Sequence, residues 1–325
     1  MKKTALFAAA AALLIFGACQ KDGKYNPKEK ISNVSEEYCS VSSYFSGEEW
    51  VTDSSITPKH VSEQWTWDGK KLSQIAYIGY DYDDQGNMVP DGQEVVNFNY
   101  DGSQMTEITT SYGERMTFTY DGKKLQKAEL YDGTATPYMT YEFEHDGKKI
   151  SSMTVTMAGV YYDKKGAKVS RLEHLLLGNI IPQTKSTDKF VCQLHAKAAK
   201  AAKAAKAGQS IRMDLTWDGD NVSKITAVTP YGNATMTLTY DDKNNPFKNF
   251  GPMFGFYGET ETGVEFCNKN NITKMVISDI EGGSDEENYT YTYDGQWPVS
   301  CTNMYSYEDE YSRGTNSRTV YYEYE

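Results

Sequence analysis

An aromatic residue followed by Asp-Gly returns along this chain, and each return brings the same apolar residues behind it. In Phe118-Thr119-Tyr120-Asp121-Gly122-Lys123-Lys124-Leu125, Leu125 stands four residues after the Asp and Ala128 seven after it. Trp67-Asp68-Gly69 is followed by Leu72 and Ile75, and Tyr100-Asp101-Gly102 by Met105 and Ile108. His145-Asp146-Gly147 leads to Ile150 and Met153, and Trp217-Asp218-Gly219 to Val222 and Ile225. A worn copy, Tyr293-Asp294-Gly295, has Cys301 at the last apolar place.

Asp-Gly suits a tight hairpin because it tolerates positive φ. Ahead of the turn, Met116, Phe118 and Tyr120 alternate with Thr117 and Thr119, which is the period of a strand with one buried face. Each unit therefore reads as a β-hairpin. A two-residue loop would set Phe118 opposite Leu125 as an apolar cross-strand pair; a longer loop would shift that register.

Tyr82-Asp83-Asp84-Gln85-Gly86 and Tyr162-Asp163-Lys164-Lys165-Gly166 read as a second turn variant. Tyr240-Asp241-Asp242-Lys243-Asn244-Asn245-Pro246 is a third, with Asn where the Gly stood. A degenerate copy runs from Phe266 to Met275, and Val320–Glu325 reads as a closing strand. Spacing between units is irregular, which favours a meander of unequal hairpins over a strict solenoid or propeller.

These Tyr-Asp units resemble the repeats of Rhs-type proteins, without the Gly-Arg that follows their turns. They resemble more closely a family of Bacteroidota lipoproteins, through the Tyr240–Phe247 run and Asn270-Asn271-Ile272-Thr273-Lys274. That resemblance spans roughly residues 60–325 and implies a porin-like, curved antiparallel sheet. The expected fold is an all-β antiparallel meander of hairpins, curved or partly closed like a barrel, with a short helical insertion near 170–207.

The first residues supply an address. Lys2 and Lys3 precede an apolar run, Ala5 to Phe16, that is too short for a membrane span of about 20 residues. Gly17-Ala18-Cys19 then resembles a bacterial lipobox, with Phe16 where Leu is usual. Residues 1–18 are expected to be a lipoprotein signal peptide, Cys19 the lipid attachment site, and 19–40 a flexible tether. The expected partner is the bilayer, through acylated Cys19, and the expected place is the outer membrane, at the surface or facing the periplasm. Lys21-Asp22 offers part of a surface-export signal.

Residues 41–325 then form one hairpin-repeat domain, interrupted over 160–210. Within the interruption, Leu172, Leu175, Leu176 and Ile180 have helical spacing before Pro182. His195 to Gly208, an Ala/Lys run, reads as a solvated helix. Asn245-Pro246-Phe247 through Gly258, rich in Phe, Gly and Pro, is expected to plug one end of the sheet, the alternative being to line a pocket. Cys39, Cys192, Cys267 and Cys301 allow three pairings in an oxidising compartment, and unpaired buried thiols are the plainer reading.

No motif for a nucleophile, a phosphate loop or a zinc protease is present, and no cofactor or metal is expected. Asp81-x-Asp83-x-Gln85-Gly86 has donors at alternate places like a calcium loop, but Gly92 stands where its final Glu belongs. The four histidines are scattered. A net charge of −12 argues against nucleic acid as a partner. Trp50, Trp65, Trp67, Trp217 and Trp297 would stack on sugars if exposed, although repeat aromatics more simply form the core. The functional reading is therefore a binding or structural module in contact with glycan or an envelope protein. The alternative is a glycosidase-like hydrolase with a carboxylate pair that no motif marks.

Overall fold

The computed structural model describes residues 27–47, 49–157, 162–163, 166–167, 209–229, 232–248, 268–278, 283–308 and 312–325. Strands in chain order are β1 (Ile31–Phe45), β2 (Trp50–Asp68), β3 (Lys71–Tyr82), β4 (Met88–Asp101), β5 (Gln104–Thr110) and β6 (Arg115–Asp121). Next come β7 (Lys124–Tyr131), β8 (Met139–Asp146), β9 (Lys149–Met157), β10 (Tyr162–Asp163), β11 (Gly166–Ala167) and β12 (Gln209–Asp218). The last are β13 (Asn221–Thr229), β14 (Gly232–Tyr240), β15 (Ile272–Ser278), β16 (Ser284–Asp294), β17 (Trp297–Glu308) and β18 (Ser312–Tyr324).

Sixteen of these form one antiparallel barrel in which each strand pairs with its neighbours in sequence, β9 passing to β12, and β1 closes on β18. The sheet expected to be curved or partly closed is closed. β10 and β11 form a separate two-stranded ladder inside the insertion. The helix expected over 170–207 lies outside the described residues. Residues 31–40, expected in the tether, are strand instead, because β1 supplies the barrel's closing edge.

The six Asp-Gly hairpin turns at Asp68, Asp101, Asp121, Asp146, Asp218 and Asp294 lie at one end of the barrel, whereas Asp132-Gly133 lies in the β7–β8 connection at the other. Lys30 and Glu325 sit beside the six: the Glu325 amide donates to the Lys30 carbonyl at 2.9 Å. The Tyr82–Asn87 turn lies at the opposite, loop end. It is therefore a connection between repeats and not a copy of one.

The hairpin register corrects the expectation. Asp121 pairs with Lys124, so the loop is Gly122-Lys123, with Gly122 at φ 59°. Tyr120 faces Leu125, a bulge follows, and Phe118 faces Ala128 rather than Leu125. The bulge has a reason. Apolar residues three apart cannot share one face of a regular strand, and one extra residue brings Leu125 and Ala128 to the same side. The same shift falls just before the aromatic in the hairpins at Trp67, Tyr100, His145, Trp217, Tyr240 and Tyr293. Ser73, Thr106, Ser223 and Thr273, the extra residues in four of them, donate their hydroxyls to the carbonyls of Thr66, Asn99, Thr216 and Thr239.

Inward side chains from all sixteen barrel strands join a single buried apolar cluster. A circular barrel of sixteen strands would enclose an aqueous channel. Here that space is packed. Leu72, Ile75, Met105, Ile108, Met116 and Leu125 are wholly buried, each such side chain contributing about 1.5–3 kcal/mol. Phe247, in the loop after β14, reaches across the interior to Trp65 of β2 and Tyr322 of β18, with ring centroids 6.3 and 5.7 Å away. Asn245 sets that loop: its amide donates to the Asn268 carbonyl while its Oδ1 accepts the Phe247 N–H. The plug expected at Asn245-Pro246-Phe247 is thus seen over 245–247; residues 249–267 lie outside the described residues.

The outer wall is polar. Glu142 and Glu144 on β8, Lys127 and Glu129 on β7, and Arg212 and Asp214 on β12 point away from the core. They pair there: Lys127 with Glu129 at 2.6 Å, and Arg212 with Glu144 at 2.9 Å and Asp214 at 2.8 Å. A transmembrane barrel needs an outward apolar band about 25 Å tall. This wall carries charge where that band would be.

Candidate functional site: the flap above the barrel rim

Strands around the barrel differ in length. β5 to β9 have 7–9 residues, whereas β1, β2 and β18 have 15, 19 and 13. The pairing shows where the surplus goes. β2 pairs with β3 only up to Glu63–Tyr77, and β17 with β16 only up to Tyr289–Asn303. Beyond those points the upper parts of β17, β18, β1 and β2 continue as a four-stranded flap, Met304–Glu308, Ser312–Ser317, Tyr38–Phe45 and Trp50–Thr57.

Among the described residues, seven of the eleven exposed large hydrophobic ones lie on this flap: Tyr38, Val41, Tyr44, Phe45, Trp50, Ile56 and Met304. Its register separates them by face. Tyr38 pairs with Arg318 and Tyr44 with Ser312, on the side that continues the barrel interior. Met304, Ser317, Cys39 and Ile56 form one row on the outer side. At the tip, Arg313 stacks over Trp50 at 4.6 Å.

At the flap's base, Glu36, His60 and Arg318 converge on the inner side. Glu36 lies 2.6 Å from Arg318 Nη2 and 3.4 Å from His60 Nε2. Burial opposes ionisation of Glu36, but the His60 hydrogen bond and the Arg318 guanidinium outweigh it and hold the carboxyl at about 2. The bond to Glu36 raises His60 above its ordinary value. The His60 ring meets Tyr80 edge-on at 4.7 Å, and the Tyr80 hydroxyl donates to the Val61 carbonyl. This cluster ties the flap to β3 where the strand pairing stops.

Below it, Glu63 is fully buried and its Oε2 accepts Trp65 Nε1–H at 2.6 Å; Glu287, also buried, accepts the Tyr289 hydroxyl at 2.7 Å. Glu63, Tyr77 and Glu94 lie side by side on β2, β3 and β4. A smaller cleft, about 270 Å³, opens between the β5–β6 and β7–β8 loops, where Arg115 stacks on Tyr131 at 4.3 Å.

The residues named from sequence fall in different places. Cys19 lies outside the described residues, as do Cys192 and Cys267; Cys39 and Cys301 are unpaired. Asp83 spends its carboxylate on its own turn, accepting the Gln85 and Asn87 amides at 2.9 and 2.8 Å. Among the described residues no group of three or more acidic, His or Cys side chains could hold a metal. Trp65 is buried, and Trp67 and Trp217 are half-buried with their indole N–H groups bonded to carbonyls. Only Trp50 stands exposed. Sequence reasoning passed over Tyr38, Tyr44, Glu36 and Arg318, because nothing local marks them. The available signal was the unusual length of the β1 and β2 segments.

No family model matches this sequence, and no curated protein matches it. Among solved structures, a porin-like protein from Bacteroides uniformis covers 94% of this chain and all of its own length, at 12% identity and a TM-score of 0.51. A porin-like protein from Bacteroides vulgatus covers 92% of this chain and 99% of its own, at 8% identity and a TM-score of 0.37. The first shares the fold; the second superposes too loosely to bear on the argument.

Proposed function

We propose that this chain is an exported envelope barrel, tethered to a bilayer through a lipid on Cys19, that binds glycan on the inner face of its flap. The observation that carries the reading is Tyr38 and Tyr44. Both are exposed, 38% and 47%, on a face whose lower part is otherwise buried core. They stand six residues apart on one strand, about 20 Å, a spacing suited to an extended oligosaccharide. Tyrosine offers a flat apolar ring with a polar edge, and Asp53 and Asn316 on the neighbouring strands supply partners for hydroxyl groups.

The tether supports an orientation. From Cys19 to Lys30 is 11 residues, which reach at most about 40 Å. Lys30 sits at the turn end, so a lipid-anchored barrel presents its flap away from the bilayer. A single acyl chain holds weakly and two or more hold stably, so the anchor needs no membrane-facing wall. The hydrolase alternative has less support, since the Glu63 and Glu287 carboxylates are buried against donors and face no open cleft.

Calorimetric titration with a panel of soluble envelope glycans tests the reading. Saturable binding that disappears in the Tyr38→Ala/Tyr44→Ala chain, at an unchanged unfolding midpoint, is the expected result. Absence of binding across the panel, or equal binding by the double variant, rejects it.

A further inference from the structure

The turn end carries its lysines on one side. Three of its turns read Asp-Gly-Lys-Lys, beginning at Asp68, Asp121 and Asp146, and the chain enters β1 through Lys28-Glu29-Lys30. Lys30, Lys71 and Lys149 lie over the Trp67, Tyr100 and Trp217 rings, at 5.5, 5.4 and 5.2 Å from their centroids. Lys28, Lys70, Lys123 and Lys148 stand exposed beyond them. The rest of the ring has the opposite balance. The β12–β13 and β16–β17 turns hold no Lys, and Lys243, Lys248 and Lys269 are outnumbered there by Asp218, Asp220, Asp241, Asp242 and Asp294.

We propose that the β2–β9 side of the turn end rests on an anionic bilayer surface, its tip lysines among the lipid headgroups. The inference builds on the Cys19 tether. Lys30 lies over Trp67, in the first of the lysine-bearing hairpins, so the tether leaves from the same side that carries the lysines. Each of these turns also opens with an Asp. A four-carbon stem, however, carries each ammonium beyond that short carboxylate. A lysine close to an anionic surface is worth about fivefold in partition, and the three turn tips add to one another.

The opposite end explains how an acidic chain docks. On the same side of the barrel, the β3–β4, β5–β6 and β7–β8 connections hold Asp83, Asp84, Glu114 and Asp132 and no Lys or Arg. Strands of 7–9 residues set the two ends about 20 Å apart, against a screening length of about 8 Å at physiological salt. The acids are therefore screened from a surface that the turn tips touch. Turned over, the barrel would press those acids onto the lipid. The chain's net charge of −12 thus selects the orientation instead of forbidding contact. Headgroup contact leaves the charged outer wall in water.

Headgroup quenching reads the contact. The full chain, its lipid established by intact mass, is held in phosphatidylcholine vesicles that carry a nitroxide-headgroup quencher. A dansyl amino acid replaces Ser103, at the β4–β5 tip, or Gln85, at the loop end. The Ser103 label should be quenched at least about threefold more when about a third of the lipid is phosphatidylglycerol. Salt at about 0.5 M should return it to the level of neutral vesicles. Lys70→Glu/Lys123→Glu/Lys148→Glu should do the same at an unchanged unfolding midpoint, and Lys243→Glu/Lys269→Glu should not. The Gln85 label should stay unquenched throughout. A lipidated chain whose Ser103 label ignores phosphatidylglycerol, salt or the triple reversal overturns the docking alone. A chain that carries no lipid overturns the tether, and the docking with it.

Discussion

The Tyr100 hydroxyl donates to the Leu72 carbonyl at 2.8 Å, a bond between one Asp-Gly hairpin and the hairpin before it. Trp67 reaches Ile31 in this way, Tyr120 Met105, His145 Leu125, Trp217 Ile150, Tyr240 Val222 and Tyr324 Pro298. Tyr293 departs, giving its hydroxyl to Asp241 instead. The ring of latches runs round the turn end and closes where β1 meets β18. It accounts for the choice of residue. Every aromatic before Asp in these units is Trp, Tyr or His, each with an N–H or O–H to give, and none is Phe. Burial raises the Tyr100 and Tyr324 hydroxyls above their ordinary pKa, so both remain donors.

Tyr100→Phe should therefore lower stability by about 1 kcal/mol, through the lost bond and a carbonyl left without its donor. Tyr82→Phe, on an exposed tyrosine at the other end, should stay within about 0.5 kcal/mol. Urea midpoints compare the two. Indistinguishable losses would mean that the latch holds nothing.

The hairpins and the inward apolar set were legible in the sequence because they are local: alternation, Asp-Gly and the residues at four and seven. The bulge was written there too, in the odd spacing of Leu125 and Ala128, but a two-residue turn centred on Asp-Gly gave a tempting register without it. The latch, the closure and the flap were not legible. A hydrogen bond from Tyr100 to Leu72 spans 28 residues, and β1 meets β18 across almost the whole chain. Glu36 and Arg318 lie 282 residues apart, and only barrel closure brings them together.

The Glu36–His60 pair predicts a pH signature. Glu36 is depressed below its ordinary 4.5, so its stabilisation is present above that value and drains away as pH falls toward about 2. His60 is raised above 6.5, so its stabilisation is complete below 6.5 and is lost as pH climbs through the raised value. His60→Gln should therefore lower the unfolding midpoint near pH 5.5 and much less near pH 9. A gap of equal size at both pH values would contradict the pairing.

Phe247 is 4% exposed and links the plug loop to Trp65 and Tyr322. Phe247→Ala should destabilise the barrel by about 3–5 kcal/mol, in line with emptying a buried aromatic site. Thermal unfolding reads the change. A loss below about 1 kcal/mol would show that the loop rests on the rim without filling the interior.

Cys301 is fully buried, and burial pushes its thiol up to about 12, while Cys39 is partly exposed on the flap. Peptide mapping after brief maleimide treatment should find Cys39 modified and Cys301 intact, with Cys301 reacting only in denaturant. Modification of Cys301 at the rate of Cys39 would show that the interior opens.

A packed inward core and outward charges support the proposal of a tethered body in water over that of a pore in lipid. Nitroxide labels at Thr119, Lys127, Glu142 and Lys224 measure this, with the full chain in lipid vesicles and collision rates taken against oxygen and a water-soluble nickel complex. The prediction is that nickel collisions dominate at every position, including those at mid-height. A continuous band of labels favouring oxygen would place the wall in the bilayer and contradict the account.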